Sequence, residues 1–298
     1  MKIAKLFIDS KNNLGEGIIW SRKEQKLFWV DIPMPSKLYY YDYSLKSLKK
    51  YDMPEMITSL SLRSTNNLLV ASHHGINNFN ILENKFEKLI DVEKNLPQNR
   101  CNDGATDAQG RYWFGTMQNN ISPDGGDIEI NQNSGSIYFL DKNLKITPVE
   151  NDLCITNTFV WSPDNTKFYF SDTITGIISS YDFNLQNGKV SNKKDFATFD
   201  RGYPDGSAID TEGYLWNCRW GGSCVVRFNP NGKVDDVIEL PVKNVTSCTF
   251  GGPNLKTLFI TTARMGMDDQ YLLENPDTGG VYSIELDVQG MSDNVFLG

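Results

Sequence analysis

The feature that most constrains the fold is a strand-turn-strand unit that recurs along the whole chain. Each copy has a short apolar run, a turn of Gly, Asp, Asn, Pro or Lys, and a run rich in β-branched and aromatic residues. The six copies are "EGIIWSRKEQKLFWVD", "TSLSLRSTNNLLVAS", "NDGATDAQGRYWFGT", "NTFVWSPDNTKFYFSD", "DGSAIDTEGYLWNCR" and "SCTFGGPNLKTLFIT". Recurrence of this kind predicts a repeat architecture.

The spacing of the repeat predicts a six-bladed β-propeller. The copies begin at Glu16, Thr58, Asn102, Asn157, Asp205 and Ser247, so successive starts are 42, 44, 55, 48 and 42 residues apart. Some copies continue into a third amphipathic run, and the spacing leaves room for a fourth strand. A period of about 40 to 50 residues with four antiparallel strands per unit is typical of propeller blades. A jelly roll or a sandwich would not account for six copies.

No window shows helical periodicity, so we expect an all-β protein. Because blades pack only against their neighbours around a ring, we expect residues 1–298 to form a single domain. The long third interval contains "MQNNISPDGGDIEINQNS", whose polar composition predicts an extended loop beside the channel. This insertion is a candidate lid.

The six starting positions predict a site at one mouth of the central channel. The innermost strands of a propeller all run in the same direction, so equivalent residues lie on one ring. Each starting residue offers a side-chain oxygen, and two carboxylates with two amides in a dry mouth require a cation to offset their desolvation and repulsion. We therefore interpret Glu16, Asn157 and Asp205 as ligands of one divalent cation. Thr58 and Ser247 more readily satisfy backbone groups.

The identity of the cation stays open at this point. Carboxylate and amide oxygens suit Ca2+, Mg2+ or Mn2+, and Zn2+ and Fe2+ also accept carboxylates. The alternative for any one position is ordinary turn chemistry, since Asp and Asn before Gly are frequent turn formers.

Charge and composition restrict the partners. The net charge of -8 and the isoelectric point near 4.9 argue against nucleic acid or an anionic membrane surface as a partner. The first residues lack the apolar core of a signal peptide, no run is long enough to span a bilayer, and the five cysteines form no CxxC pair. We expect a cytoplasmic protein with reduced cysteines and a small-molecule ligand. The oligomeric state stays open.

Four motifs in order make the chain similar to the SMP-30/gluconolactonase/luciferin-regenerating-enzyme family, which includes regucalcin and sugar lactonases. They are "LGEG" followed by "LFWVDIP", "NRCNDGATDAQGRYWFGTM", "ITNTFVWSPDNTKFYFSDT" and "PDGSAIDTEGYLW". The resemblance covers nearly the whole chain. It implies a six-bladed propeller that holds one divalent cation through Glu16, Asn157 and Asp205.

The resemblance also implies substrate contacts. Arg100 and Asn102 match the family residues that contact sugar hydroxyls, and Asp103 matches in a less defined role. The family's substrate-binding glutamate aligns with Asn120, and Asn119 and Asn120 are candidates for hydrogen bonds from the lid. At the second metal ligand the family has Asn-Gly, whereas this chain has Asn157-Thr158 and so lacks the residue that most easily adopts positive φ.

The function implied is hydrolysis of an aldonolactone, such as gluconolactone or xylonolactone, to the aldonic acid. In that reaction the cation acts as a Lewis acid and Asp205 as the general base. Two alternatives stay open: a metal-dependent esterase or lactonase for a more apolar substrate, and a non-catalytic calcium-binding propeller. Aromatic residues at the mouth in place of Asn and Arg would favour the first.

Overall fold

The computed structural model describes residues 2–298 and contains six sheets, each built around four antiparallel strands. In five of them these four strands are consecutive in sequence. The predicted six-bladed β-propeller is therefore confirmed. The first three blades contain β3 (Gly15–Ser21), β4 (Lys26–Asp31), β5 (Lys37–Asp42) and β6 (Ser47–Asp52); β7 (Ile57–Ser64), β8 (Asn67–Ser72), β9 (Gly75–Asn80) and β10 (Lys85–Asp91); and β11 (Asn99–Thr106), β12 (Tyr112–Gln118), β13 (Gly135–Leu140) and β14 (Ile146–Leu153).

The remaining blades follow the same order with one exception at the end. They contain β15 (Thr156–Trp161), β16 (Lys167–Asp172), β17 (Ile177–Asn184) and β18 (Lys189–Thr198); β19 (Tyr203–Ile209), β20 (Leu215–Trp220), β21 (Cys224–Phe228) and β22 (Val234–Glu239); and β23 (Asn244–Gly251), β24 (Thr257–Ala263), β25 (Val281–Glu285) and the N-terminal β2 (Lys5–Ile8). A short strand β1 (Lys2–Ile3) pairs in parallel with β22 as a fifth strand of the fifth blade.

Helix is nearly absent from the part of the chain that the structure describes. A 3-10 helix covers Thr173–Thr175, and the helix α1 covers the six residues Asp269–Glu274. Within residues 2–298, no helix has the length and apolar character needed to cross a membrane.

The ring is closed by the N-terminus. The first strand of each blade contacts the first strand of the next, and β23 contacts β3. The sixth blade would have only three strands without β2, which pairs antiparallel with β25 through Lys5 opposite Ser283 and Leu6 opposite Tyr282. The N-terminal strand therefore joins the two ends of the chain inside one sheet.

The core lies between blades. Six clusters of buried apolar side chains occupy the six interfaces between neighbouring blades. Buried tryptophans take a repeated role in two of them: the Trp113 Nε1–H donates to Asp107 Oδ2 at 2.9 Å, and the Trp216 Nε1–H donates to Asp210 Oδ2 at 3.0 Å. The turn acids of the repeat thus fix the large core side chains that follow them.

Two features of the channel position the site. Every first strand is interrupted by a bulge near its start, where it pairs with the second strand of its blade. Bulges re-aim side chains and are common beside active sites. At the other end, residues 289–298 cross the channel: the Met291 N–H donates to Ile209 O, the Phe296 N–H donates to Leu62 O, and the Leu297 N–H donates to Gly110 O.

Candidate active site at the channel mouth

A cavity of about 640 Å³ opens where the first strands begin. It gathers six of the residues that the sequence singled out: Glu16, Arg100, Asn102, Asn120, Asn157 and Asp205. These residues are contributed by blades one, three, four and five and by the insertion after β12. The fold therefore brings together side chains that are nearly 200 residues apart in sequence.

The three predicted metal ligands lie at the bulges of their strands. The register of β3 breaks after Glu16, and that of β15 breaks after Asn157. In the bulge of β19, Asp205 is one of two residues that lie opposite a single residue of β20. Asn157 and Asp205 are each 5% exposed, and Glu16 is half-buried. Because each strand is distorted at this level, the three side chains all line the mouth cavity.

The orientation of the Asn157 amide is fixed by its neighbours. The Thr173 hydroxyl donates to Pro204 O at 2.9 Å, so its oxygen accepts the Asn157 Nδ2–H at 2.8 Å. The Asn157 Oδ1 atom consequently faces the opposite way and accepts a hydrogen bond from Asn102 at 3.2 Å. An amide oxygen has two lone pairs, which leaves one for a further ligand.

The two carboxylates at the mouth are held in an unfavourable environment. Burial, followed by repulsion from Asp205 and Asp103, raises the pKa of Glu16 well above its usual range. Burial, followed by repulsion from Asp103, likewise raises the pKa of Asp205. Within residues 2–298, neither carboxylate is in an ion pair. Buried acids without a cationic partner are costly unless a cation joins them.

This donor set fits a hard divalent cation. Two carboxylates and one amide oxygen are ligands that such ions accept. Nowhere in the described part of the chain do three His, Cys, Asp or Glu side chains gather as metal ligands would. The Asn157 amide would therefore have to complete the set.

A second group of side chains forms a hydrogen-bonded wall beside the three candidate ligands. Arg100, 3% exposed, donates through Nη1 to Asn102 Oδ1 at 2.6 Å and through Nη2 to Asn120 Oδ1 at 2.8 Å. Asn102 in turn donates to Thr156 O at 2.8 Å as well as to Asn157. Burial lowers the pKa of Arg100 to about 10, so the guanidinium stays charged at neutral pH. Its Nε atom is buried without a hydrogen-bond partner.

Four other candidate positions lie off the mouth cavity. Asp103 lines a second cavity farther along the channel, where it accepts the Thr158 N–H at 3.1 Å, and burial raises its pKa to about 6. Asn119 closes a local turn, because its side chain donates to Ile121 O and accepts from the Ile121 N–H. Ser247 lines the second cavity, and Thr58 is buried with its hydroxyl 3.5 Å from Ala71 O.

A further part of the mouth lining, called here the aromatic wall, was not predicted from the sequence. It contains aromatic, thioether and basic side chains, namely Tyr203, Trp220, Lys243, Met265 and Met267. The first two stand at the ends of β19 and β20, and the others follow β22 and β24. These positions fall at strand ends or in the connections between strands, where the repeat carries no signal. Asp127 of the insertion also lines the cavity.

Comparison with known proteins gives consistent matches over the whole propeller. The SMP-30/Gluconolactonase/LRE-like region matches residues 14–264. Regucalcin from Xenopus laevis is 32% identical over 289 residues, which is 96% of this chain and 95% of that protein. The putative sugar lactone lactonase YvrE from Bacillus subtilis is 32% identical over 298 residues, which is 99% of each chain.

A solved structure shows the same likeness. Regucalcin from Agrobacterium tumefaciens, described as a calcium-binding protein, superposes with a TM-score of 0.91 at 27% identity, covering 99% of this chain and 98% of that one. The match in sequence spans all six first strands and all three candidate metal ligands. The chain therefore belongs to the SMP-30/gluconolactonase/LRE family.

Proposed function

We propose that the protein is a divalent-metal-dependent lactonase that opens an aldonolactone, such as gluconolactone or xylonolactone, to the aldonic acid. One observation carries the proposal: two carboxylates and an amide oxygen face a cavity that also contains a wall of fixed arginine and asparagine side chains. The names of the relatives support it, since one is a putative sugar lactone lactonase and another a calcium-binding protein.

Glu16, Asn157 and Asp205 would hold the cation. A divalent ion bound there supplies Lewis-acid stabilisation of the negative charge that develops on the lactone carbonyl oxygen. The candidates are Ca2+, Zn2+, Mg2+, Mn2+ and Fe2+, all of which accept carboxylate oxygens.

Asp205 is the proposed general base. Its carboxylate accepts a proton from water as the water oxygen bonds to the carbonyl carbon of the lactone. The ring carbon–oxygen bond then breaks, and the same proton passes to the ring oxygen, which leaves as a hydroxyl group. A carboxylate with two oxygens can be a ligand through one and a base through the other.

Arg100, Asn102 and Asn120 are the proposed substrate-orienting residues. The Arg100 guanidinium can only donate, and it is already bonded to both asparagine oxygens. Both asparagines are therefore fixed in orientation, and the Asn120 amide N–H groups remain to donate to lactone hydroxyl groups. Fixed donors favour one orientation of the ring over others.

The test is acid release from gluconolactone and xylonolactone, corrected for spontaneous hydrolysis, by protein stripped with a chelator and resupplied with each metal. Turnover is expected only with metal. Asp205→Ala and Glu16→Ala are expected to reduce kcat/KM at least 100-fold, whereas Glu83→Ala, at an exposed turn of the second blade, serves as the matched control. Wild-type rates in the first two variants would refute the assignment.

A second candidate function is favoured by the aromatic wall. Tyr203 and Trp220, with Met265 and Met267, present aromatic and thioether surface to the cavity. That surface suits a lactone or ester with an apolar substituent. A higher kcat/KM on an alkyl-substituted lactone than on gluconolactone would select this function. Metal binding with no turnover of either class would select a calcium-binding propeller without catalysis.

We also propose that the partner is a small sugar lactone and that the protein acts in the cytoplasm. The net charge of -8 supports a small-molecule partner over nucleic acid or an anionic membrane.

A further inference from the structure

A threonine occupies a left-handed backbone position directly after one of the candidate metal ligands. Thr158 has a φ of 62°, in the bulge of β15. The residue after Glu16 in the bulge of β3 is Gly17, with a φ of 56°. Glycine takes this conformation freely, whereas a β-branched residue there is a strained outlier. Thr158 must therefore gain compensating interactions that a glycine could not make.

The compensating interactions of Thr158 join β15 to Asp205 on β19. The Thr158 hydroxyl donates to the backbone carbonyl of Asp205 at 2.6 Å and lies 3.0 Å from Ser207 Oγ. Its backbone N–H donates to Asp103 Oδ2 at 3.1 Å. The side chain is fully buried, so these bonds do not compete with water. One residue thus connects Asn157, its chain neighbour, with Asp205.

A buried arginine fixes the direction of the bonds around Thr158. Arg219 is fully buried and donates through Nη1 to Asn217 Oδ1 at 3.0 Å; its other donors go to the carbonyls of Phe199, Arg201 and Gly202. Since a guanidinium only donates, the Asn217 oxygen faces Arg219 and its Nδ2 faces the opposite way. That nitrogen donates to Asp205 O at 3.1 Å, Ser207 Oγ at 2.9 Å and Thr158 Oγ1 at 3.2 Å.

We propose that Thr158 is a positioning residue whose hydroxyl, together with Asn217, fixes the backbone of Asp205 relative to Asn157 before a cation binds. The inference rests on the proposed function, because it takes Asn157 and Asp205 as ligands of one cation. The Asp205 carbonyl receives two hydrogen bonds from this network, from Thr158 and from Asn217, and both come from fully buried side chains. Replacing a residue that orients a metal ligand typically lowers metal affinity by about 10- to 100-fold.

The experiment compares three replacements at one position by titration calorimetry with Ca2+ alone and with Mn2+ alone. Thr158→Val keeps the shape and loses the hydroxyl, so we expect metal affinity to fall about 10-fold or more. Thr158→Ser keeps the hydroxyl, and its affinity is expected within about 2-fold of wild type. Thr158→Gly relieves the backbone strain but lacks the hydroxyl, so we expect it to fold stably and to bind metal as weakly as Thr158→Val.

The control is Thr262→Val. Thr262 is fully buried, and its hydroxyl donates to Gly280 O at 2.7 Å in the sixth blade, so its loss is expected to lower stability without changing metal affinity. If Thr158→Val does not fold, the metal affinity of Thr158→Gly alone tests the inference. Wild-type affinity in Thr158→Val or Thr158→Gly would overturn the inference. Absence of metal binding by the wild type would instead overturn the proposed function.

Discussion

The side-chain nitrogen of Asn102 lies 3.2 Å from the side-chain oxygen of Asn157. A candidate sugar-binding residue of the third blade is therefore hydrogen-bonded to a candidate metal ligand of the fourth. This contact couples the orientation of the substrate-binding amide of Asn102 to that of the metal-binding amide of Asn157, because a rotation of either amide breaks the hydrogen bond to the other.

The first prediction concerns this contact. Asn102→Ala removes the donor to Asn157 and Thr156 and one acceptor of Arg100. We expect KM for the lactone to rise about 10-fold, equivalent to about 1.4 kcal/mol, with a smaller fall in kcat. Steady-state kinetics of acid release measures both. Asn184→Ala, at the exposed end of β17 in the fourth blade, is the control, and an unchanged KM for Asn102→Ala would contradict the assigned role.

Two adjacent asparagines of the insertion are expected to behave differently. Asn120 lines the mouth and accepts from Arg100, whereas Asn119 only closes a turn around Ile121. Asn120→Ala is therefore expected to raise KM about 3- to 10-fold with little loss of stability. Asn119→Ala should lower the melting temperature slightly and leave KM unchanged. Kinetics and thermal unfolding of the pair distinguish them, and the reverse pattern would show that the insertion is oriented differently.

Closure of the ring by the N-terminal strand gives a prediction about stability. Deletion of residues 1–8 removes β2 and leaves β25 as an unpaired edge, so we expect loss of cooperative folding or a fall of several kcal/mol in the free energy of unfolding. Deletion of residues 1–3 removes β1, a two-residue edge strand whose side chains are exposed, and is expected to cost less than about 1 kcal/mol.

Denaturant unfolding measures both truncations, and the intact chain should unfold in one transition if residues 1–298 are a single domain. Equal stability of the two truncations would show that β2 does not hold the ring closed.

Asp293 predicts a dependence of stability on pH. Its carboxylate accepts hydrogen bonds from the backbone N–H of Trp20 at 2.7 Å and from the Thr249 hydroxyl at 2.9 Å. Burial raises the pKa of Asp293 from an ordinary 3.8 to about 6. The folded chain thus holds this proton more tightly than the unfolded chain. The stabilisation that the protonated Asp293 gives the folded chain is fully present below pH 4 and is lost as the pH rises through about 6.

Asp293→Asn keeps an acceptor oxygen and cannot ionise. We expect it to resemble the wild type near pH 4 and to be more stable above pH 6, by at most about 3 kcal/mol. Urea unfolding at intervals from pH 4 to pH 8 gives the difference between the two proteins. A difference that does not change with pH would contradict the prediction.

The blades could be predicted from the sequence because each one is local. Successive strands pair through short turns, so segments such as Lys26–Asp31 and Lys37–Asp42 are recognisable by alternation and spacing alone. The closing strand could not be predicted, since the pairing of Lys5 with Ser283 joins residues at opposite ends of the chain. The same holds for residues 289–298, whose contacts are with loops and strand ends of five blades.

The candidate site, like the fold, could be predicted only in part. Glu16, Asn157 and Asp205 were found because the repeat places them at similar points of their blades. The aromatic wall, which includes Tyr203 and Trp220, was not predicted, because it comes from strand ends and connections that differ between blades. The absence of the family's glycine at Thr158 is visible in the sequence, but the positive φ there and the hydroxyl bond that compensates for it depend on how close β19 lies to β15.

The closing strand also determines when the site can assemble. Glu16 belongs to the first blade and Asp205 to the fifth, and the sixth blade, which lies between these two on the ring, is completed by the strand β2. Long-range pairing of this kind forms late in folding. A cation held by all three side chains would bind only after the ring has closed, so its uptake would report that the propeller is whole.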